Sequence, residues 1–132
     1  MTELSQPRVI KTTQGLRSAL NNSGADIGAY LCISRNSTLN EVILTSGGNV
    51  QIDGTTTETF TDADGVYYTY QTEGVAKCTA SAAVTIGALV MPDAAGKVLT
   101  RTGTNSIVGT ALTSSTADGD VIEVELLRQM GA

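Results

Sequence analysis

The sequence predicts an all-β protein, a small sandwich or barrel made of two tandem copies of one β module. Three observations carry that expectation. Short runs rich in Val, Ile, Thr and Tyr are separated by turn signals at intervals of about 8–12 residues, the rhythm of a sandwich or barrel. Residues 120–126, DVIEVEL, alternate apolar and acidic side chains. A strand period of two therefore puts Ile122, Val124 and Leu126 on one face and Glu123 and Glu125 on the other. Finally, residues 98–116 repeat residues 43–61 at a displacement of 55 without a gap, with apolar positions answering apolar positions.

The repeat extends beyond that block. Its identities are Leu44/Leu99, Thr45/Thr100, Gly48/Gly103, Ile52/Ile107, Gly54/Gly109, Thr55/Thr110 and Thr61/Thr116. One deletion brings Ala63-Asp64-Gly65 onto Ala117-Asp118-Gly119 and lays Tyr68 and Tyr70 over Ile122 and Val124. Upstream, Ile27-Gly28-Ala29 matches Ile86-Gly87-Ala88 at 59, and Val9 and Lys11 match Val75 and Lys77 at 66. The expected superposition sets Ile52 on Ile107 and Tyr68 on Ile122.

Taken in order, residues 1–8 (MTELSQPR) are polar and carry Pro7, so an extended N-terminal arm is expected there. Residues 9–12 are the first strand candidate. Residues 14–22 hold Leu16 and Leu20 four apart with Ala19 between, which predicts a short helical turn ended by Asn21-Asn22-Ser23-Gly24. Strands are expected over 27–34, 41–45, 49–52 and 66–71, with Gly47-Gly48 as one turn. Residues 55–61 are β-prone and polar, either an edge strand or an exposed loop. The second copy repeats the plan over 75–79, 88–91, 97–101, 106–112 and 120–127. Its Pro92-Asp93-Ala94-Ala95-Gly96 is a turn with Pro and Gly in fitting places. The chain is thus divided into an arm, 1–8, and one β domain, 9–132, with modules at about 9–72 and 73–127.

Composition narrows the function. Among 132 residues there is no Trp and aromatics are 4%, so the core must come from Val, Ile, Leu, Ala and Tyr, and assembly with other subunits would compensate for a thin core. A net charge of −5 argues against a nucleic-acid binder. Residues 1–25 carry Arg8, Lys11 and Arg17 against Glu3, a local +2, which leaves −7 on the rest. No run approaches the ~20 apolar residues of a membrane helix and no leading segment reads as a secretory signal, so synthesis in the cytosol is expected. Cys32 and Cys78 each lie in an apolar strand context and read as buried thiols rather than a disulfide.

Catalytic chemistry is not indicated. With no His, neither a Ser-His-Asp site nor a His-ligated metal can be built. Glu123 and Glu125 read as the solvated face of a strand rather than a glycosidase pair. Asp62-Ala63-Asp64-Gly65 starts like a calcium loop, but the sixth position after Gly65 is Gln71 where a Glu is required, and a hairpin turn explains it better. No enzyme, cofactor or metal is expected.

Several short motifs are similar to those of a known family. They are Glu73-Gly74-Val75-Ala76-Lys77, residues 82–90 (AAVTIGALV), Asp93-Ala94-Ala95-Gly96-Lys97-Val98, Ile107-Val108-Gly109-Thr110-Ala111-Leu112 and residues 117–124 (ADGDVIEV). Together they resemble the small capsid decoration, or cement, proteins of tailed bacteriophages. The resemblance covers residues 73–126 directly and 9–72 only through the repeat, since residues 35–39 stand where the Ala-Gly-Lys-Val turn should be. It implies a structural virion protein on the outer face of the mature head, made in the host cytoplasm. Its partners would be the major capsid protein and itself, as a homotrimer, with no nucleic acid and no membrane. Such a protein bridges capsid subunits and holds them against the pressure of packaged DNA.

The alternative is a carbohydrate- or host-binding β module of a head fibre or adhesin, drawing on Thr-rich residues 55–61 and four tyrosines. The contact residues expected in the first reading are Pro7, Arg8, Val9, Ile10 and Lys11, an apolar patch flanked by cations. A Pro-containing extended segment suits strand addition to a neighbour's sheet, with Val9 and Ile10 buried against the capsid or an adjacent subunit. The competing reading makes residues 9–12 the first strand of their own module.

Overall fold

The computed structural model describes residues 15–131, and every described element is a strand. The first module holds β1 (Leu16–Asn21), β2 (Cys32–Arg35), β3 (Glu41–Leu44), β4 (Gly54–Thr56) and β5 (Tyr68–Gln71). The second holds β6 (Val75–Thr79), β7 (Leu89–Pro92), β8 (Val98–Thr100), β9 (Ile107–Ala111) and β10 (Val121–Gln129). The first five close into a barrel in the order β1-β3-β2-β4-β5, with β5 returning to β1. The second five form a sheet in the order β6-β10-β9-β7-β8. A single parallel bridge, Ala80 to Val98, marks where that sheet would close on itself.

These two orders are the same cycle, so the duplication is visible in the topology. The registers fix the residue equivalences. Ala19 pairs with Tyr68 as Cys78 pairs with Ile122, and Ile33 pairs with Gly54 as Val90 pairs with Gly109. Tyr68 therefore does take the place of Ile122. Ile52 and Ile107 each stand two residues before the matched glycines, but Ile107 opens β9 while Ile52 lies in a loop and packs into the second module's core.

Three sequence matches need correction. Leu16, not Val9, occupies the place of Val75, since Leu16 pairs with Gln71 as Val75 pairs with Glu125. Ile27 bridges Phe60 as Val84 bridges Ser115, so Ile27 answers Val84 rather than Ile86. In β3 and β8 the gapless block is one residue out of register. Ile33 faces Leu44 as Val90 faces Thr100, so Leu44 matches Thr100. One residue's difference in the loop before β4 restores the displacement that holds for Gly54 and Gly109. Such a slip exchanges the two faces of a strand, which is why pairing and not identity decides it.

Local expectations also change. The helical turn over 14–22 is strand β1, although Leu16 and Leu20 have helical spacing. Its backbone is paired to β5 on one edge and β3 on the other, and Ala19 and Asn21 point inward. A ladder on both edges outweighs a weak local helical preference. The strand expected over 27–34 shrinks to β2, because Tyr30 has φ 64 and breaks the extension. Residues 49–52 form no strand. Thr55 and Thr56 are fully buried in β4 between β2 and β5, so they belong to neither an edge nor an exposed loop. The arm, 1–8, and the strand candidate, 9–12, lie outside the described residues.

Each module has its own core. Ile27, Ile33, Val42, Phe60 and Tyr70 fill the first, where the Phe60 ring lies 5.3 Å from Tyr68 and 6.5 Å from Tyr70. Val90, Val98, Val108, Ile122 and Val124 fill the second, together with Cys32 and Ile52 contributed by the first module.

That contribution joins the modules. In the first barrel the Leu20 amide donates to the Asn40 carbonyl and closes the seam between β1 and β3. The equivalent groups in the second module, the Thr79 amide and the Gly96 carbonyl, do not meet. Thr79 donates to the Tyr30 carbonyl, and the Cys32 amide donates to Gly96 at 2.7 Å. The segment leading into β2 thus occupies the seam between β6 and β8 and satisfies buried backbone groups that closure would otherwise pair. Gly96 permits the approach. A Cβ there would lie 2.7 Å from the Leu44 side chain and 3.0 Å from the Cys32 carbonyl, and its φ is +77. Further bonds from Thr45 to Asp93, from Ser106 to Gly48 and Val50, and from Arg128 to Asp53 tie the modules together.

Candidate functional site

Residues 7–11, the contact segment expected from the sequence, lie outside the described residues. The described structure offers two surfaces to a partner: the mouth of the first barrel and the outer face of the second sheet.

The barrel mouth is built from β1, the end of β2, β3 with the segment before it, the loop before β4, and β5. Arg17, Arg35, Glu41, Asp53 and Tyr70 converge around a cavity of about 190 Å³. Asp53 is buried, and its carboxylate accepts from the Tyr70 hydroxyl and from Arg35 at 3.2 Å. Arg128 of β10 donates to the Asp53 carbonyl. The Arg35 side chain is half exposed, so the ion pair contributes little of itself; its use is to satisfy a carboxylate that burial would otherwise penalise. The cavity is smaller than the roughly 300–1,000 Å³ of small-molecule sites and suits a single inserted side chain.

Burial, then the hydrogen bond to Asp53, pushes the Tyr70 phenol up to about 12. A raised folded-state value means the contribution is fully present below the ordinary tyrosine range near pH 10 and is lost as pH rises toward about 12. Denaturation midpoints measured across that window should fall for the native chain and fall less steeply for Tyr70→Phe. At neutral pH the same variant should lose about 1–3 kcal/mol, because Asp53 is left under-bonded.

The second surface has a regular geometry. On β10, Ile122, Val124 and Leu126 are buried while Val121, Glu123, Glu125 and Leu127 are exposed, as the alternation in the sequence predicts. Pairing sets Glu125 between Val75 and Thr110, with Leu89 beyond Thr110, and sets Glu123 opposite Lys77. Leu112 donates its amide to the Glu123 carbonyl, which places it on the same row. The outer face is therefore two carboxylates framed by Val75, Leu89, Leu112, Val121 and Leu127. Lys77 leans toward the Tyr30 ring, 5.7 Å from its centroid. In the first module the positions matching Leu89 and Thr110 are Cys32 and Thr55, and there the neighbouring module buries both.

Other candidate groups have local duties. Asp62 accepts from the Gly24 amide, and Asp64 accepts from the Val66 amide and the Tyr68 hydroxyl. The Tyr68 and Val66 bonds hold the Asp64 carboxyl below its ordinary range. Asp120 caps the Thr116 and Ala117 amides, which lowers its carboxyl likewise. Cys32 and Cys78 are free, buried thiols from different modules in one core, and the neighbouring Cys78 thiol, with burial, raises Cys32 well above the ordinary thiol range. A thiol raised as Cys32 is stays protonated and is a poor nucleophile. Tyr68 and Tyr70 pack around Phe60 and so form no outward aromatic platform. No signal in the sequence marks Arg17, Arg35, Asp53 and Tyr70 as neighbours; barrel closure alone brings them together.

Comparison with known proteins places this architecture. A family described as phage cement protein matches residues 36–126. No curated protein matches the chain. Among solved structures, the N base of the head fibre protein gp8.5 of bacteriophage phi29 is similar, with a TM-score of 0.69 at 13% identity over 87% of this chain and 95% of that one. At that identity the likeness is one of fold.

Proposed function

Because the chain belongs to the phage cement protein family and is thus a structural protein of the phage head, we propose that it binds the outer surface of the capsid and bridges neighbouring capsid subunits. The observation that carries the reading is the outer face of the second sheet, where exposed apolar side chains remain on the module whose counterpart is covered. A sheet with an apolar outer face gains stability when another surface covers it. Self-association as a homotrimer multiplies such contacts on a repeating lattice. Synthesis occurs in the host cytoplasm, and the mature location is the virion exterior.

Purified protein mixed with undecorated heads should cosediment at saturable stoichiometry, and light scattering of the free protein should give three times the chain mass. Failure to cosediment, together with retention on a glycan array, would replace this reading with the carbohydrate-binding one. The burial of Thr55 and Thr56 removes part of the polar surface that the glycan reading relied on.

A further inference from the structure

We propose that the mouth of the first barrel is a carboxylate site, in which Arg17 and Arg35 receive one Asp or Glu side chain of a capsid subunit. The two arginines line a cavity of about 190 Å³ together with Asp53 and Tyr70. Arg17 stands two residues before the buried Ala19 and so shares its inward side, and it pairs directly with Tyr70 of β5. Arg35 ends β2 and donates to Asp53, whose carboxylate is buried.

The second module shows that the fold does not require these groups. By register, Arg17, Arg35, Asp53 and Tyr70 stand where that module has Ala76, Pro92, Val108 and Val124. All four of those are buried and apolar. A buried ion pair is commonly no more stabilising than well-packed apolar residues in its place. The first module therefore keeps two cations and a buried acid at positions that its twin packs with hydrocarbon. A polar set retained against the packing rule points to a ligand.

The bonding selects the charge of that ligand. Both carboxylates at the mouth are engaged from within. Asp53 accepts from Arg35 and from Tyr70, and Glu41 accepts from Asn22 at 2.7 Å and from Asn36 at 3.5 Å. A bound cation would have to displace those donors. A guanidinium carries five N–H donors, and the bond to Asp53 uses Nη2 of Arg35, so its other donors suit a second carboxylate. Leu39, 82% exposed beside the cavity, offers apolar contact to the methylene stem of the incoming side chain. The source of the carboxylate rests on the capsid-binding reading. Bridging two subunits takes two separate contacts, and the outer face of the second sheet supplies one of them.

Two measurements on the full-length protein test the site and its occupant. In the first, acetate replaces chloride at constant ionic strength and neutral pH while the amide resonances of labelled protein are followed. Those around Arg17, Arg35 and Asp53 should shift saturably, with a dissociation constant on the order of 10 mM. Arg17→Gln should need about tenfold more acetate, the effect of losing one charge-assisted bond. Arg17 is exposed, and far-UV circular dichroism checks that the variant is folded. Shifts that do not saturate, or that are equal in the two chains, overturn the site. In the second, cosedimentation with undecorated heads should reach half-saturation at about tenfold higher concentration for Arg17→Gln. Equal half-saturation overturns the capsid carboxylate as the occupant. Native protein that does not bind heads removes the capsid reading and this occupant with it, while the acetate response still decides the mouth. A missing acetate response with equal head binding by both chains removes the mouth alone and leaves the capsid reading standing.

Discussion

Replacing Gly109 or Gly54 with Ala should each destabilise the protein by about 3 kcal/mol or more, a large effect for one methyl group. The two glycines occupy the same place in their modules. A Cβ on Gly109 would lie 2.0 Å from the Glu125 carbonyl oxygen, and one on Gly54 would lie 2.3 Å from that of Gln71. Gln71 and Glu125 are themselves equivalent, since each pairs with the threonine that follows its glycine. The obstacle is a backbone carbonyl in a ladder, so it cannot yield as a side-chain tip would. The strand must move, which breaks β9 from β10 or β4 from β5. Urea denaturation gives the size of the loss, and amide exchange shows which ladder opens first. An alanine variant within about 1 kcal/mol of the native chain would show that the two backbones are not held together.

Phe60→Ala should cost about 3–5 kcal/mol, the range for removing a fully buried phenyl ring. Phe60 is the protein's sole Phe and is fully buried. Its backbone bonds twice with Ile27, and its ring packs against Tyr68 and Tyr70. The second module has Ser115 at the matching bridge, so nothing of comparable size exists there to compensate. The loss should fall on the first barrel, whose remaining core is Ala19, Ile27, Ile33, Val42 and Tyr70. Because Tyr70 also holds Asp53, the barrel mouth should loosen with it. Tyrosine fluorescence during thermal unfolding would report this, and an unchanged melting temperature would refute the assignment of Phe60 as the centre of that core.

Some of this architecture was legible in the chain. The alternation in residues 120–126 determined the inward and outward faces of β10, because a strand's period of two depends on nothing beyond its immediate neighbours. The Gly-Thr pairs at 54–55 and 109–110 revealed the duplication, since each glycine answers a steric demand that recurs in both copies. Cys32 and Cys78 were readable as buried thiols from their apolar flanks.

Other features were decided only in three dimensions. Leu16 and Leu20 carry a local helical spacing, and strand β1 exists because β3 and β5 offer it partners from 21 to 55 residues away. The register of β3 against β8 depended on one residue in a loop, which identity scoring cannot see but hydrogen-bond pairing must resolve. The seam between β6 and β8 is filled by Tyr30 and Cys32, which belong to the other module. Short-range patterns set what each strand would bury; the need to pair every buried backbone group, across the whole chain, set which strand would lie beside it.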